Sequence, residues 1–342
     1  DGNALACYGG SMNDFSVTIG IWVVSGDGPP SLPPEQRPIG RAALALRKDG
    51  IQVVFGDKMV NGCMDGYTAI EGGWTRQSGL QVNAVHDRFP SQMRADQYQD
   101  LIDGLHGCPL GNSRDFTLLC RDKIDSQQAL VQQGIQMPPI ETNPDQFADR
   151  LKAWGSAFIK PRFGALGTGV ARVRPGDPLP RTRPGMIPGT DEPAILQCAV
   201  PPPSGLAGMA VRVLVQRTAD GWHIEAPVVR SSQTDPVANA ARGATVAPGT
   251  DALSSHLCDR INSTARQITD ALDQLPRASR AVEAGLDMVI DDQEHPHLIE
   301  INSRPRGRLE VLATLDPDRF GSAHEIACGR PIQMLAHWCQ SA

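Results

Sequence analysis

The feature that most constrains this chain is a short polar strand at residues 297–305. Side chains alternate between the two faces of a β-strand, so the pattern places Leu298, Glu300 and Asn302 on one face. A carboxylate and an amide oxygen two residues apart, with Cα atoms about 7 Å from each other, are hard ligands of the kind that Mg²⁺ prefers. Arg304 continues the same face. A metal site and an ordinary strand with a polar face both fit this stretch taken alone.

A second strand, predicted at residues 284–290, carries one acid in an otherwise apolar run. The Asp-Asp-Gln-Glu segment between the two strands is typical of a turn, so we expect an antiparallel pair. Residues that face each other in such a pair have Cβ atoms about 5 Å apart. Asp287 of this strand is therefore expected to converge with Glu300 and Asn302 as a third metal ligand.

The composition limits the classes of protein to which the chain can belong. Its 342 residues are too many for one simple core and indicate two or three α/β lobes. A net charge of −6 argues against a nucleic-acid partner, and no apolar run approaches the roughly 20 residues that span a bilayer. The eight cysteines include no Cys-x-x-Cys pair, which argues against structural zinc and favours a reducing, cytoplasmic setting. Residues 1–11 lack any periodic pattern, and we interpret them as a cloning remnant or an extra peptide.

The N-terminal part of the chain reads as one half of a Rossmann-like domain. The patterns predict strand, helix, strand, strand and helix at residues 17–24, 39–48, 51–55, 80–85 and 92–106. The first strand is rich in β-branched residues and is expected to be buried in a parallel sheet. No Gly-x-Gly-x-x-Gly sequence follows it, so nucleotide binding is not expected in this lobe.

Arg88 follows the strand predicted at residues 80–85. Ligands of open α/β sheets bind at the carboxyl ends of the strands, which makes this arginine a candidate substrate-binding residue. A surface arginine in a loop is an equally good interpretation of the same position.

The strongest local pattern lies at residues 158–170, where a strand that carries Lys160 runs into a glycine-rich turn and a second strand returns. Such a hairpin is neither a P-loop nor a Rossmann turn, because both of those lead from a strand into a helix. The flexible backbone at Gly164, Gly167 and Gly169 can close over phosphate groups, and the lysine supplies a positive charge. Without the lysine, a plain turn would be the better interpretation.

The remaining segments alternate between helices and strands. Helices are predicted at residues 122–133, 144–154, 258–275 and 323–338, and strands at residues 194–200, 210–215 and 223–229. Leu130 and Val131 are expected to face inward, and the last helix is expected to break at residues 329–331. Arg212 is a charge within an apolar strand. It is either a surface residue on an edge strand or an arginine directed into a pocket for a polyanion.

Taken in order, these motifs resemble those of the ATP-grasp superfamily. A lysine at a helix start, a lysine before a glycine-rich hairpin, an arginine on a strand, an Asn-x-x-Arg-Gly loop and the Asp…Glu-x-Asn set follow one another along residues 85–312. Within the superfamily, the chain is similar to the spore-coat-associated YheC/YheD-like group and to ligases of the glutathione synthetase and RimK type. The resemblance implies an α/β ATP-grasp fold with a Rossmann-like domain at residues 12–111, a lid subdomain at 112–200 and a C-terminal subdomain at 201–342.

The resemblance also assigns residues to a nucleotide site and a metal site. It implies that the phosphates of ATP are contacted by Lys123 and Lys160. One or two Mg²⁺ ions would be held by Asp287, Glu300 and Asn302. The lid over the triphosphate would include Gly164, Gly167, Thr168 and Gly169. The adenine edge would be read by the backbone of a hinge at Gln197, Cys198, Ala199 and Val200.

Further positions are implied to act on the reacting groups. The transferred phosphoryl group would be stabilised by Arg212 and Arg304. Contacts to the substrates would come from Arg88, Asn239, Arg242, Gly243 and Arg306. If the segment after residue 302 is extended, Arg304, Arg306 and Arg308 share a face and suit an acidic substrate or a peptide C-terminus. A solvated turn with scattered arginines is the alternative.

The implied reaction joins a carboxylate to an amine at the expense of ATP. The carboxylate attacks the γ-phosphate to give an acyl phosphate and ADP, and the amine of an amino acid or peptide then displaces phosphate. Two positions depart from the family pattern: Cys198 replaces a hinge residue that is often Glu, and Ala210 replaces an acid that often precedes the arginine on the strand. The alternatives are a structural ATP-binding protein without turnover and a phosphotransferase that stops at a phosphorylated product. A homodimer is compatible with all three.

Overall fold

The structure, a computed structural model, describes residues 15–23, 29–88, 95–163, 167–185, 189–305 and 309–341. Four features of the sequence analysis lie outside these ranges: the peptide at residues 1–11, the lid residue Gly164, and Arg306 and Arg308. The chain forms two compact units, the first at residues 1–111, 217–220 and 321–342 and the second at residues 112–216 and 221–320. The division of the second part into lid and C-terminal subdomains remains a prediction.

The first unit is built on a six-stranded sheet. Its elements are β1 Val17–Trp22, α1 Pro38–Leu46, β2 Ile51–Val60, β3 Cys63–Ile70, β4 Gly73–Gln81, β5 Ala84–Asp87, α2 Ala95–Gly104 and β6 Leu110–Gly111. The strands lie in the order β4-β3-β2-β1-β5-β6. β1 pairs in parallel with β2 and β5, and β5 pairs in parallel with β6. β1 is buried along its whole length, as its apolar run predicts.

The sequence patterns do not predict the β-meander at one edge of this sheet. The strand expected at residues 51–55 continues to Val60, and the strand expected at residues 80–85 is divided between the end of β4 and the start of β5. Asn61 and Gly62 have φ angles of 50° and 77°, and a two-residue hairpin turn of type I′ requires positive φ at both positions. The Asn-Gly sequence is typical of such turns and could have predicted this hairpin.

The second unit contains two sheets in its described part. The smaller sheet and its helices comprise α3 Arg114–Arg121, α4 Lys123–Gln132, β7 Ile140–Glu141, α5 Phe147–Trp154, β8 Ala157–Pro161, β9 Ala171–Val173, β10 Thr182–Pro184 and β11 Asp191–Cys198. The order of its strands is β10-β11-β8-β9, and β7 pairs with β11. The antiparallel pairing of β8 with β9 confirms the hairpin predicted around the glycine-rich turn.

The larger sheet follows in the chain. Its elements are β12 Gly208–Thr218, β13 Gly221–Ile224, β14 Val228–Ser232, β15 Thr245–Pro248, α6 Gly249–Ala252, α7 Ser255–Asp273, β16 Glu283–Ile290, β17 Pro296–Asn302 and α8 Leu309–Leu315. The last helix, α9 Pro317–Ser341, begins in this unit, and its residues from Gly321 onward belong to the first unit. The strand order is β15-β14-β12-β16-β17, with β13 paired to β12. α7 packs on this sheet with one buried stripe at three- and four-residue spacing, formed by Leu257, Ile261, Ala265, Ile268 and Leu272.

Two local expectations are wrong. Leu130 is buried as expected, but Val131 is 47% exposed, because α4 buries only one stripe. α9 is continuous through Pro331 rather than broken at residues 329–331. Proline in a helix costs about 3 kcal/mol, and the buried residues on both sides of it, which include Ala327 and Leu335, offset that cost by packing. No described helix has the length and apolar character needed to cross a membrane.

Candidate functional site

A cavity of about 160 Å³ in the second unit is lined by residues of both sheets. One part of its wall is apolar and includes Phe158, Val170, Val200, Met209, Val289 and Ile299. The other part is charged and includes Lys123, Lys160, Arg230, Asp287 and Glu300. The cavity therefore combines a surface that suits a flat apolar group with cations and carboxylates that suit a polyanion and its counterion.

Lys160 and Gln197 lie side by side in this wall. The Lys160 Nζ atom donates a hydrogen bond of 2.6 Å to Gln197 Oε1. Burial and the charge of Lys123 lower the pKa of Lys160 to about 8, while the carboxylates of Glu300 and Asp287 act in the opposite direction. Lys160 is thus a buried ammonium group that an anion would stabilise.

Lys123 is the first residue of α4, and the helix start is fastened to the end of β8. Asp122 caps the helix, and its Oδ1 atom accepts hydrogen bonds of 3.0 and 3.3 Å from the backbone nitrogens of Ile124 and Asp125. Arg162 donates bonds of 2.9 and 2.5 Å to the same carboxylate. Burial lowers the pKa of Lys123, against the effect of nearby acids. The cap therefore holds a second buried lysine at the cavity.

Asp287 is enclosed by hydrogen-bond donors. Arg212 donates bonds of 2.8 and 2.5 Å to its two oxygens, Arg230 donates one of 2.7 Å, and Asn302 Nδ2 donates one of 3.0 Å. Burial alone would raise the pKa of Asp287, but the two guanidinium groups hold it well below its usual range. Arg212 faces Asp287 across β12 and β16, and β12 lies inside the sheet. Its alternative interpretation as a surface residue on an edge strand is therefore wrong.

Glu300 reaches the cavity because the pairing of β16 with β17 is irregular. Asp287 faces Glu300, and the register then shifts so that Ile299 is an extra residue. Leu298 and Ile301 are buried in the hydrophobic core, whereas Ile299 and Glu300 line the cavity. The expectation that Leu298 shares a face with Glu300 is therefore wrong, since the bulge interrupts the strict alternation of side chains.

The three predicted metal ligands lie together at this point. Asn302 Nδ2 is 3.0 Å from Asp287 Oδ2 and 3.5 Å from Glu300 Oε1. The chemistry of this donor set fits Mg²⁺, which takes one or two carboxylates and completes its shell with water and phosphate oxygens. Rotation of the amide would turn its oxygen toward a cation. Among the described residues, no group of three or more His, Cys, Asp or Glu side chains is arranged for a metal, so an ion here would depend on amide and phosphate oxygens.

The segment after β17 is held by Asn112, a buried residue that the sequence analysis does not single out. Its Nδ2 atom donates to the carbonyl oxygens of Ser303 and, at 3.0 Å, Glu283. Its Oδ1 atom accepts bonds of 2.8 and 3.2 Å from the backbone nitrogens of Val282 and Glu283. Asn112 therefore ties the start of β16 to the segment that carries Arg304.

The predicted hinge at residues 197–200 begins at the end of β11. The backbone nitrogens of Cys198 and Ala199 donate to the carbonyl oxygens of Pro139 and Ser156, at 2.9 and 3.1 Å. These two N–H groups are thus used within the protein. The hinge residues that line the cavity are Gln197, Cys198 and Val200. Burial raises the pKa of the Cys198 thiol, which keeps it neutral.

The glycine-rich hairpin reaches the cavity with Gly167 and Thr168. Gly167 and Gly169 have φ angles of 72° and 68°, which side chains disfavour. A Cβ atom on Gly167 would lie 3.1 Å from the Nδ2 atom of Asn239, which also lines the cavity. The hairpin and the Asn239 loop therefore approach each other closely where glycine is present.

Arg242 and Gly243 lie in the same loop as Asn239. Both are exposed, and neither lines the cavity. Arg242 donates to Asp235 Oδ2 at 2.8 Å and to the carbonyl oxygen of Val170 at 3.3 Å. Its guanidinium group thus fastens the loop to the returning strand of the hairpin. Arg88 is half-buried and directly follows β5 in the first unit. The substrate roles of these three residues remain predictions.

Arg230 is a cavity residue that the sequence analysis misses. It lies on β14, is 7% exposed, and binds Asp287 through one guanidinium nitrogen. Its Nε atom has no hydrogen-bond partner in the part of the chain that the structure describes. The signal that marks Arg212, a charge within an apolar strand, is also present in the Val-Val-Arg sequence at this position.

The fold is that of the ATP-grasp proteins. VanG D-Ala:D-Ser ligase from Enterococcus faecalis matches with a TM-score of 0.58 and 13% identity, over 94% of this chain and 99% of that chain. D-alanyl-alanine synthetase A from Vibrio cholerae matches with a TM-score of 0.54 and 14% identity, over 94% and 99%. A RimK domain ATP-grasp protein from Sphaerobacter thermophilus matches with a TM-score of 0.52 and 13% identity, over 93% of this chain and 99% of that chain. At these identities, the likeness concerns the fold alone.

The sequence narrows the class further. Residues 207–318 match the family model described as YheC/D like ATP-grasp. Residues 207–318 thus carry a YheC/D-like ATP-grasp domain, and the chain has the fold of the ATP-grasp proteins, which confirms the expected resemblance and the expected α/β fold. No curated protein matches the chain in sequence.

Proposed function

We propose that this protein is an ATP-dependent carboxylate–amine ligase, which forms an amide bond through an acyl phosphate and releases ADP and phosphate. The observation that supports this best is that one cavity combines an apolar wall with four cations and two carboxylates. Two proteins with the same fold are named as a ligase and a synthetase, in agreement with this reaction class.

The triphosphate would lie against the charged part of the wall. Lys123 and Lys160 are buried, and an ammonium group in a dry site gains more from an anion than it would in water. Gly167 and Thr168 line the cavity, and their backbone would cover the phosphates. The apolar wall beside Phe158 would take the base.

The metal would be held by Asp287, Glu300 and Asn302. Mg²⁺, when bound, supplies positive charge that offsets the charge of the phosphates. Asp287 remains an anion at neutral pH because Arg212 and Arg230 stabilise it. Arg230 lines the cavity beside Asp287, and its buried Nε–H group would be a further donor for the oxygens of the transferred phosphoryl group. Arg212 would act through its hydrogen bonds to Asp287.

The chemistry needs no nucleophile from the protein. The carboxylate of the substrate attacks the γ-phosphorus atom and ADP leaves. The amine then attacks the acyl carbon, loses a proton, and displaces phosphate. The residues of the cavity bind, orient and neutralise the reacting groups, and they exclude water that would hydrolyse the acyl phosphate.

ADP release in the presence of Mg·ATP and candidate pairs of carboxylates and amines tests this function. Turnover that requires both substrates is expected. Glu300→Ala should lower kcat by more than the roughly 10–100-fold that loss of an outer partner of a metal costs. Glu71→Ala, which removes an exposed acid in the first unit, is the matched control and should be unchanged. Circular dichroism of both variants reports the fold.

Two outcomes would contradict the ligase. ADP release with the carboxylate alone, in step with a stable phosphorylated product, would indicate a phosphotransferase. Tight ATP binding without turnover on any pair of substrates would indicate a structural nucleotide-binding protein.

A further inference from the structure

Gln197 presents a buried amide group to the cavity. Its side chain is 3% exposed and lines the wall together with Lys160. The Oε1 atom accepts the 2.6 Å hydrogen bond from Lys160 Nζ. Within the described residues, the Nε2 atom has no hydrogen-bond partner.

The orientation of this amide follows from the chemistry of its partner. A lysine ammonium group carries only donors, so the atom that faces it must be the carbonyl oxygen. The reverse orientation would set two donors against each other. The group directed away from Lys160 is therefore the NH₂ group of Gln197, which can only donate.

A buried donor without an acceptor is unfavourable, because it has lost its hydrogen bonds to water and gained none in the protein. A ligand that places an acceptor beside Nε2 would remove this penalty. The ligand atom that meets Gln197 is therefore expected to be an acceptor.

The part of the ligand that lies there is the base. Gln197 directly faces Phe158 in the pairing of β8 with β11, and Phe158 belongs to the apolar part of the wall. The carboxylates and Arg230 belong to the charged part. A nucleotide with its phosphates at the charged part would have its base against the surface formed by Phe158 and Gln197.

Purine bases differ at the group next to N7. Adenine offers an acceptor at N7 and a donor at its 6-amino group, whereas a 6-oxopurine such as hypoxanthine or guanine offers two acceptors, N7 and O6. Glutamine commonly reads adenine with its oxygen and nitrogen together. In this cavity the oxygen of Gln197 is bound to Lys160, so Gln197 presents only its NH₂ group, a donor, to the base. A donor can bind N7 of either base and O6 of a 6-oxopurine, but it cannot accept from the 6-amino group of adenine.

We propose that Gln197 reads the base as a hydrogen-bond donor and that the site accepts 6-oxopurine nucleoside triphosphates in addition to ATP. This selectivity rests on the proposed function, since it concerns the nucleotide of the same ligase. It extends that function from ATP alone to the class of purine nucleoside triphosphates.

The test compares inosine triphosphate with ATP, because inosine differs from adenosine by an oxygen in place of the 6-amino group and by a proton on N1. The ratio of kcat/KM for ITP to kcat/KM for ATP is obtained from the release of the nucleoside diphosphates, IDP and ADP. It is measured in the wild type and in Gln197→Glu. The variant keeps the pairing with Lys160 but presents a carboxylate oxygen, an acceptor that favours the amino group of adenine. Gln197→Met, which is similar in length and has no donor, is the second variant.

The wild-type ratio is expected to lie within about tenfold of unity, and Gln197→Glu should lower it by about tenfold or more. Gln197→Met should give an intermediate ratio. A wild type that prefers ATP by more than a hundredfold, or a ratio that neither substitution changes, would overturn the assignment of Gln197. Such a result does not affect the proposed ligase function if ATP supports turnover. Absence of turnover with both nucleotides would argue against the ligase function itself.

Discussion

Lys160 and Lys123 lie in a cavity that withholds water from their ammonium groups. Burial disfavours the charged form of a lysine and lowers the pKa of both, and the charge of Lys123 lowers the pKa of Lys160 further. Lys160 reaches about 8, which lies within the range of an ordinary assay. The binding of an anion therefore has a pH dependence that is set by this residue.

The sign of that dependence follows from the charge. The pKa of Lys160 is about 8. At a pH below this value, Lys160 carries its proton and attracts a triphosphate, whereas at a higher pH the neutral amine does not. Because kcat/KM reports ionisations of the free enzyme, kcat/KM for ATP should fall by about tenfold for each pH unit above this value. Arginine keeps its charge in this range, so Lys160→Arg should remove the decline. A wild-type profile that stays flat to pH 10 would contradict the assignment.

Functional residues were predicted best where they lie on strands that are adjacent in the sequence. The pairing of Asp287 with Glu300 followed from two strands and a turn, and the structure bears out that pairing. Arg230 was missed because its importance comes from a long-range contact with Asp287, 57 positions away in the chain. The hydrogen bonds that Asn112 accepts from Val282 and Glu283 span 170 and 171 positions of the chain, so no local sequence pattern predicts them.

At the scale of elements, Lys123 is positioned by the start of α4. The contact of Asp122 with Arg162, which we call the joint, connects this helix start to β8. Asp122 both caps the helix and binds Arg162, so one carboxylate connects a helix to the end of β8. A cap contributes about 1 kcal/mol, and the ion pair fixes the geometry because two guanidinium nitrogens of Arg162 bind the two oxygens of Asp122.

Asp122→Ala should lower the free energy of unfolding by about 1–2 kcal/mol, the usual cost of a lost cap. It should also raise KM for ATP more than it lowers kcat, since Lys123 would lose its fixed place. Asp122→Asn keeps the cap but not the charge, so stability should largely recover while KM remains raised. Urea denaturation and steady-state kinetics measure the two effects. An unchanged KM in both variants would show that the joint has no part in nucleotide binding.

Elements were predictable where periodicity is regular and not where geometry departs from it. The strands β16 and β17 follow from alternation and a turn, but the bulge at Ile299 does not, because an extra residue leaves no periodic trace. The strand β4 is hard to predict from the sequence because Trp74 and Leu80 are its only large apolar residues and most of its positions are exposed.

At the scale of the whole molecule, the two compact units differ in what they carry. The second unit holds the cavity with its cations, carboxylates and glycine-rich hairpin, all from residues 112–216 and 221–320. The absence of a phosphate fingerprint after β1 predicts no nucleotide site in the first unit. The order of motifs along the chain was enough to predict the ATP-grasp fold, because each motif belongs to a different element of that fold.

The central claim is that this cavity binds a nucleoside triphosphate, and isothermal titration calorimetry with ATP and Mg²⁺ tests it most directly. The wild type should bind one ATP per chain. Lys160→Met should weaken binding by about tenfold or more, since a charge-assisted hydrogen bond in a buried site contributes about 1.5–3 kcal/mol. Lys152→Met, which removes an exposed lysine of α5, should bind as the wild type does. Equal affinity in wild type and Lys160→Met, or no binding by the wild type, would contradict the account.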